Sequence, residues 1–249
     1  MLLFCCQTYL AAQGIDVKYS DTDANLKGYF VKAKSNASKV PGVLVLSAWM
    51  GINAQSKETA DKLGKLGYHA FVADIYGEGK NPTNMGDAGK LAGYYKTNYK
   101  IYQSRIKAGL DQLIKQGADP SKIVVMGYCF GGTGALEAAR AGFPVIGAVS
   151  FHGGLGKDSA RTNTEIKTHI LALHGGDDPY VPAKEVHSFE TEMKQSKADW
   201  QFIEYANAVH SFTDVSAGTD NSKGAAYNEK AATRSWEHMK LFLKELFGA

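Results

Sequence analysis

Short apolar runs alternate with longer amphipathic stretches along most of this chain. Seven runs predict β-strands, because each is apolar or alternating over a strand's length and is bounded by glycine, proline or polar residues. The stretches between them carry apolar residues at helical spacing, which favours α-helices. The predicted strands cover residues 28–33, 43–47, 70–73, 123–126, 145–150, 169–173 and 200–205. The predicted helices cover residues 57–66, 88–116 (interrupted near 97–98), 132–141, 183–197 and 225–247.

This alternation indicates βαβ units, and therefore an α/β fold with a mostly parallel central sheet flanked by helices. No repeat, low-complexity tract or linker divides the chain, so residues 13–249 are predicted to form a single domain. In open parallel sheets, ligands bind beyond the carboxyl ends of the strands. The residues that directly follow the predicted strands are therefore the first candidates for function.

Composition narrows the classes of partner. The chain has 249 residues, of which 44% are hydrophobic, and a formal net charge of only +3. It has no basic run interleaved with aromatic residues, so nucleic acid is not an expected partner. No stretch is long and apolar enough to span a bilayer. A small-molecule substrate is the expected partner, and the sequence leaves both a monomer and a homodimer open.

The N-terminal residues 1–12, MLLFCCQTYLAA, resemble the apolar centre and small-residue end of a signal peptide that lacks its positive start. We interpret them as a remnant of such a peptide; the alternative is an N-terminal strand or arm. A signal peptide would place the protein in the periplasm or outside the cell, and otherwise it is cytoplasmic. Removal after Ala12 would leave Cys129 as the only one of three cysteines, and hence as a free thiol.

Cys129 lies in residues 127–132, Gly-Tyr-Cys-Phe-Gly-Gly, directly after a predicted strand and before a predicted helix. This is the pattern of a nucleophile elbow with cysteine in place of the usual serine. The small residues permit a tight turn, and the helix N-terminus favours a thiolate. The alternative is a buried cysteine that fills space.

Possible partners of the cysteine follow two later strands. Asp177 and Asp178 come after the strand at 169–173, and His210 comes after the strand at 200–205. Nucleophile, acid and histidine in this order are typical of α/β hydrolases. His152, after the strand at 145–150, is a competing histidine that could line the same cleft. No cluster has the tight spacing of metal ligands, so we expect no metal.

Backbone N–H groups can stabilise the negative charge that develops on a substrate oxygen. One candidate is the N–H of Phe130, and the other is the N–H of Trp49 in the loop after the strand at 43–47. Trp49 and Met50 are also candidates for the pocket wall, although both side chains could instead belong to the core.

Taken together, these motifs resemble the dienelactone hydrolases, a cysteine-nucleophile branch of the α/β-hydrolase fold. The resemblance runs from about residue 16 to residue 247. It implies the α/β-hydrolase fold, hydrolysis of esters and lactones through a thioester without a cofactor, and Asp178 as the acid beside His210. The matching segments are residues 51–53, 67–68 with 73–77, 127–132, 176–182 and 210–212.

The chain departs from this family in two places. Ala48 occupies a position where members often carry a glutamate that helps to activate the cysteine, so we expect His210 alone to activate Cys129. Thr213 and Asp214 follow the His-Ser-Phe run, where enzymes acting on dienelactone carry an arginine that binds the substrate carboxylate. A neutral substrate is therefore expected.

The segment between the strands at 145–150 and 169–173 is too short for a large lid, so an open pocket is expected. We expect Trp49, Met50, Phe130 and His152 to line it. Four tyrosines could either pack or contact substrate: Tyr94, Tyr95, Tyr99 and Tyr102.

The sequence thus predicts a hydrolase of small neutral esters or lactones that uses Cys129, His210 and Asp178, with activated phosphoesters as further substrates. Two other hypotheses are a ligand-binding protein that keeps this fold without catalysis, and a redox role for Cys129. Both are weaker, because the Cys, Asp and His set is intact and no resolving cysteine remains after residue 12.

Overall fold

The computed structural model describes residues 14–35 and 38–248. The segment interpreted as a signal-peptide remnant lies outside these residues. Within them, eight strands form one sheet in the order β1-β2-β4-β3-β5-β6-β7-β8. The strands are β1 Ile15–Asp21, β2 Ala24–Val31, β3 Val40–Leu46, β4 His69–Ala73, β5 Ala118–Tyr128, β6 Gly147–Phe151, β7 His169–Gly175 and β8 Trp200–Tyr205.

The helices fill the predicted positions between the strands. The helix predicted at 88–116 is two helices that meet at Asn98, which ends one and begins the next, so the predicted interruption is confirmed. The last helix begins at Glu229, four residues later than predicted, because the Asn228 side chain caps it there. The helices are α1 Ala54–Lys65, α2 Met85–Thr97, α3 Tyr99–Lys115, α4 Phe130–Arg140, α5 Ala183–Gln195 and α6 Glu229–Phe247.

The strands from β3 to β8 pair in parallel, whereas β1 and β2 join the sheet in antiparallel pairs. The predicted mostly parallel α/β fold is confirmed. Strand β1 was not predicted from the sequence. It pairs only with β2 at the sheet edge, and none of its residues is fully buried, so it lacks the apolar run that marks the inner strands.

The core lies on both faces of the sheet. In β3, Leu44 and Leu46 face the cluster packed beneath α3 and α4, while Val43 and Val45 face the cluster packed beneath α1 and α6. Successive side chains of a strand point to opposite faces, so a strand covered on both sides needs a continuous apolar run. This is the physical reason that the inner strands are readable from the sequence.

The carboxyl ends of the parallel strands share one edge of the sheet, and the loops that leave this edge carry the candidate functional residues. Residues 152–168, between β6 and β7, contain neither helix nor strand. They therefore form no helical lid over this edge. No described helix is long and apolar enough to cross a membrane.

Candidate active site

Cys129, His210 and Asp178 form a continuous chain of contacts at the carboxyl edge of the sheet. The Nε2 atom of His210 lies 3.0 Å from the Sγ atom of Cys129. The Nδ1 atom of the same ring lies 2.7 Å from Oδ2 of Asp178. The structure thus brings together the three residues that the sequence singled out in this order.

The turn at Cys129 is held in a strained conformation. Cys129 has φ 52° and ψ −114°, a region that non-glycine residues rarely occupy and that costs about 1–3 kcal/mol. Its N–H donates to the carbonyl of Phe151 at 2.9 Å, and its carbonyl accepts from the N–H of Thr133 at 3.1 Å. These bonds from β6 and α4 fix the cysteine at the N-terminus of α4.

Glycines on both sides of Cys129 let strand, turn and helix approach closely. A Cβ on Gly127 would overlap the backbone of Gly131, and a Cβ on Gly131 would overlap the carbonyls of Leu46 and Ser47 at the end of β3. The elbow therefore requires glycine at both positions, as the sequence pattern indicates.

Asp178 and His210 come from loops that are themselves well anchored. Asp178 is 5% exposed, and its Oδ1 accepts from the N–H of Tyr180 at 2.8 Å. The backbone N–H of His210 donates to the carbonyl of Gly224, and the carbonyl of His210 accepts from the N–H of Ala226. The segment around Gly224 and Ala226 therefore anchors His210. The neighbouring Asp177 is exposed, which assigns the contact with His210 to Asp178 alone of the two aspartates.

The three groups shift one another's ionisation. Burial alone would lower the pKa of His210, but its hydrogen bonds to Asp178 and Cys129 outweigh burial and raise the pKa to about 9. Burial also opposes a charged thiol, yet the hydrogen bond and charge of His210 hold the pKa of Cys129 below its ordinary value. The charge of Lys96 and the N–H of Phe130 lower that pKa further. These shifts favour a thiolate beside an imidazolium.

The two backbone donors expected from the sequence lie in neighbouring loops. Phe130 is the first residue of α4, and its N–H reaches the cysteine sulfur. Trp49 follows β3, and its carbonyl accepts a hydrogen bond from the hydroxyl of Tyr76 at 2.8 Å. Met50 is half-buried in the same turn, which the N–H of Gly51 closes onto Ala48.

His152 is a buried neighbour of His210. Its side chain is buried, its ring meets that of His210 edge-on at 5.3 Å, and its Nε2 lies 2.8 Å from the hydroxyl of Thr213. Burial and the charge of His210 hold the pKa of His152 well below its ordinary value. The sequence predicts that His152 lies at this edge of the sheet, but it does not show the contact with Thr213.

The profile of the dienelactone hydrolase family matches residues 26–247. The chain belongs to the dienelactone hydrolase family. It is therefore a hydrolase of the α/β-hydrolase fold that acts on small molecules, which confirms the enzyme class and the family expected from the sequence.

Related proteins of this family cover nearly the same length. A dienelactone hydrolase-like promiscuous phosphotriesterase, P91, from metagenomic libraries is 35% identical, with a TM-score of 0.88 over 94% of this chain and 98% of its own. The structure named m3DLH is 32% identical, with a TM-score of 0.90 over 95% and 99%. A Bradyrhizobium protein named "probable 2-oxo-3-(5-oxofuran-2-ylidene)propanoate lactonase" is 28% identical over 83% of this chain and 84% of its own.

The two departures from the dienelactone hydrolase pattern have clear positions in the structure. Ala48 is half-buried against the core cluster on the side of α1 and α6. The carboxylate of Asp214 accepts from the N–H and hydroxyl of Ser216 at 2.9 and 2.6 Å, capping a short 3-10 turn at Val215–Ala217. Asp214 therefore stabilises the loop that follows His210.

The four tyrosines left open by the sequence take different positions. Tyr95 and Tyr102 are buried in the core, Tyr99 packs its ring 3.8 Å from the guanidinium of Arg161, and Tyr94 is half exposed. Sequence reasoning missed Tyr76, which follows β4, and Tyr180, whose exposed ring meets His210 edge-on at 5.4 Å. The available signals were that Tyr76 comes soon after a strand end and that Tyr180 is two residues after Asp178.

Among residues 14–35 and 38–248, no group of three His, Cys, Asp or Glu side chains could hold a metal ion. Cys129 is the one free cysteine of the described residues, and its Sγ atom contacts Nε2 of His210.

Proposed function

We propose that this protein hydrolyses small neutral esters and lactones through a thioester on Cys129. The observation that carries the proposal is the chain of two contacts that joins the Cys129 sulfur, the His210 ring and the Asp178 carboxylate. A thiol becomes a strong nucleophile when an adjacent base holds its proton and a third group orients that base.

In the first half-reaction, the Cys129 thiolate forms a bond to the acyl carbon of the substrate. The carbonyl π electrons move onto oxygen, where the N–H groups of Phe130 and Trp49 stabilise the charge. Collapse of this intermediate breaks the bond to the leaving oxygen, which takes a proton from Nε2 of His210. An alcohol leaves, or the ring of a lactone opens, and the acyl group remains as a thioester.

In the second half-reaction, His210 is neutral and accepts a proton from water as the water oxygen bonds to the thioester carbon. The second tetrahedral intermediate expels the thiolate, and the acid product releases its proton to solvent. The thiolate and the imidazolium are restored. Asp178 keeps the ring in the orientation that presents Nε2 to the sulfur throughout.

Two relatives bear on the range of substrates. The 35% identical P91 is named a promiscuous phosphotriesterase, which supports activated phosphoesters as further substrates of this site. The Bradyrhizobium relative is named a lactonase, which supports lactones. The neutral preference rests on the absence of an arginine after Phe212, because Thr213 and Asp214 occupy that part of the loop.

The proposal predicts a burst of p-nitrophenol when the enzyme meets p-nitrophenyl acetate. The burst should match the enzyme concentration, because each Cys129 is acylated once before the slower hydrolysis of the thioester. Cys129→Ala should abolish both burst and turnover, since no other described residue holds a thiol beside His210. Stopped-flow absorbance measures the burst, and mass spectrometry of the quenched enzyme locates the acyl group.

Unchanged turnover in Cys129→Ala would refute the covalent mechanism. The charge preference is tested separately by comparing kcat/KM for p-nitrophenyl butyrate and for p-nitrophenyl hydrogen succinate, which carries a carboxylate. A higher value for the succinate ester would refute the neutral preference while leaving the mechanism intact.

A further inference from the structure

Three aromatic rings stack beneath the candidate oxyanion donors. The Phe130 ring lies between those of Tyr102 and Tyr76. Its centroid is 4.5 Å from that of Tyr102, with the planes 4° apart, and 5.7 Å from that of Tyr76, with the planes 16° apart. All three side chains are at most 3% exposed. The stack joins the loop after β4, helix α3 and the first turn of α4 in one rigid unit.

Each outer tyrosine also binds the backbone of one of the two donor residues. The Tyr102 hydroxyl donates to the carbonyl of Phe130 at 2.8 Å. The Tyr76 hydroxyl donates to the carbonyl of Trp49, also at 2.8 Å. The first bond is possible only because residue 134 is glycine, since a Cβ there would overlap the Tyr102 hydroxyl. The hydrogen bond between Tyr102 and Phe130 therefore depends on Gly134 of α4.

An oxyanion hole made from two separate loops needs a device that fixes one N–H relative to the other. Catalytic groups must be held to within about 0.5 Å of their productive geometry by packed and hydrogen-bonded neighbours. Trp49 follows β3 and Phe130 follows β5, so the two N–H groups belong to separate segments of the chain. Tyr76 contacts both, because its ring packs on Phe130 while its hydroxyl holds Trp49.

We propose that Tyr76 and Tyr102 are positioning residues that lock the N–H groups of Trp49 and Phe130 into a single oxyanion hole. This inference rests on the proposed acyl chemistry at Cys129. Neither tyrosine touches the reacting atoms. Their effect is confined to reactions in which charge develops on a substrate oxygen, and it does not extend to the nucleophilicity of the thiolate.

The test compares two reactions of the same thiolate in the variant Tyr76→Phe. Hydrolysis of p-nitrophenyl acetate passes through an oxyanion, whereas alkylation by iodoacetamide displaces iodide from a saturated carbon and forms none. Tyr76→Phe keeps the stacked ring and removes only the hydroxyl. We expect kcat for the ester to fall about tenfold with little change in KM, because losing an oxyanion donor outright costs about 10²–10³ in kcat. The rate of alkylation and its pH midpoint should equal those of the wild type.

Tyr29→Phe is the matched control. Tyr29 is also a buried tyrosine, and its hydroxyl donates to Asp61 at 3.1 Å, but it lies on β2, away from Cys129. This variant should leave both reactions unchanged. Thermal unfolding of each variant reports the structural cost of losing a buried hydroxyl. If Tyr76→Phe does not fold, Tyr102→Phe makes the same comparison from the Phe130 side.

Equal losses of hydrolysis and alkylation would overturn the proposal, because the tyrosine would then act on the thiolate. Full hydrolytic activity in Tyr76→Phe and Tyr102→Phe would overturn it as well. A failure of the proposed function is distinguishable from both outcomes, since the wild type would then show no hydrolysis that depends on Cys129.

Discussion

A thiol at neutral pH is mostly protonated, and the environment of Cys129 shifts this balance toward the thiolate by lowering its pKa. Two acceptors stabilise the protonated ring of His210, the Asp178 carboxylate at Nδ1 and the Cys129 sulfur at Nε2. The hydrogen bonds raise the pKa of the imidazole to about 9 and lower the pKa of the thiol. Among the described groups, His210 contributes most to lowering the pKa of Cys129, through both its hydrogen bond and its charge.

The pH dependence of alkylation tests this pair. The rate of reaction with iodoacetamide rises as pH passes the pKa of the thiol, since only the thiolate attacks. The lowered pKa of Cys129 therefore predicts a midpoint below that of an ordinary cysteine. In His210→Gln the positive charge is lost while burial remains, so the midpoint should move up. Ester hydrolysis by the wild type should decline above pH about 9, where His210 loses its proton.

His187→Gln serves as the control, because His187 is exposed on α5. Its alkylation profile should coincide with that of the wild type. Identical midpoints for the wild type and His210→Gln would contradict the ion pair.

At the scale of the element, the elbow is a junction of three backbones. Strand β5 ends, Cys129 takes its positive φ, and the first turn of α4 passes directly over the end of β3. Gly131 lies at the closest approach, where the neighbours are the carbonyls of Leu46 and Ser47. Backbone atoms inside a sheet cannot swing aside as a flexible side chain can, so this junction accepts no added atom.

Gly131→Ala should therefore destabilise the protein by about 1–3 kcal/mol, the usual cost of overpacking. Gly93→Ala is the matched substitution within a helix. Gly93 is exposed in α2, and no atom lies within 4 Å of an added Cβ, so the change should stabilise the fold by about 0.5–1 kcal/mol. Urea unfolding measures both free energies. A Gly131→Ala protein as stable as the wild type would show that the junction can relax.

At the scale of the whole molecule, a group of four charges, three of them buried, anchors the segment 152–168. Arg140 contacts Glu137 and Glu192 at 3.1 and 2.7 Å and donates to the carbonyl of Leu155 at 2.6 Å. Arg161 also contacts Glu137, at 2.9 Å. The two arginines balance the two glutamates. Through Leu155 and Arg161, the group connects α4 and α5 to the segment that follows β6.

Removing one charge of this group should lower the free energy of unfolding strongly, because its partners would stay buried without an opposite charge. Arg140 is 4% exposed and its partner Glu192 is 8% exposed. Arg140→Met should therefore lower the free energy of unfolding by about 3–5 kcal/mol. Lys107→Met breaks the exposed pair with Asp111 on α3 and should cost about 0.5 kcal/mol or less. Chemical denaturation of both variants makes the comparison, and equal costs would argue against a structural role for the buried group.

The sequence predicts most of this fold, and the reasons are local. Inner strands carry continuous apolar runs, and Cys129, Asp178 and His210 each follow a strand in the order that α/β hydrolases use. Strand β1 is missed because an edge strand has no buried face to leave such a run. The hydrogen bond between His152 and Thr213 is also missed, because the sequence does not specify the position of Thr213.

The stack around Phe130 belongs to the same class of unpredicted features. Tyr76, Phe130 and Tyr102 come from three separate segments, and only the folded sheet brings their rings together. A sequence pattern can locate a residue at a strand end, but it cannot show which residue from another segment packs against it. The order of strand ends therefore predicts which residues share the sheet edge, whereas the packing of side chains such as this stack is found only in the structure.

Cys129 leaves the ribosome long before its base, since 81 residues separate it from His210. During that interval the thiol has neither the hydrogen bond nor the charge that deprotonates it, so it reacts slowly with oxidants and electrophiles. The pKa of Cys129 is lowered only when β8 has joined the sheet and the chain beyond it holds His210 in place. The lowered pKa of Cys129 is thus a property of the folded chain, which requires the segment through Ala226 to be in place.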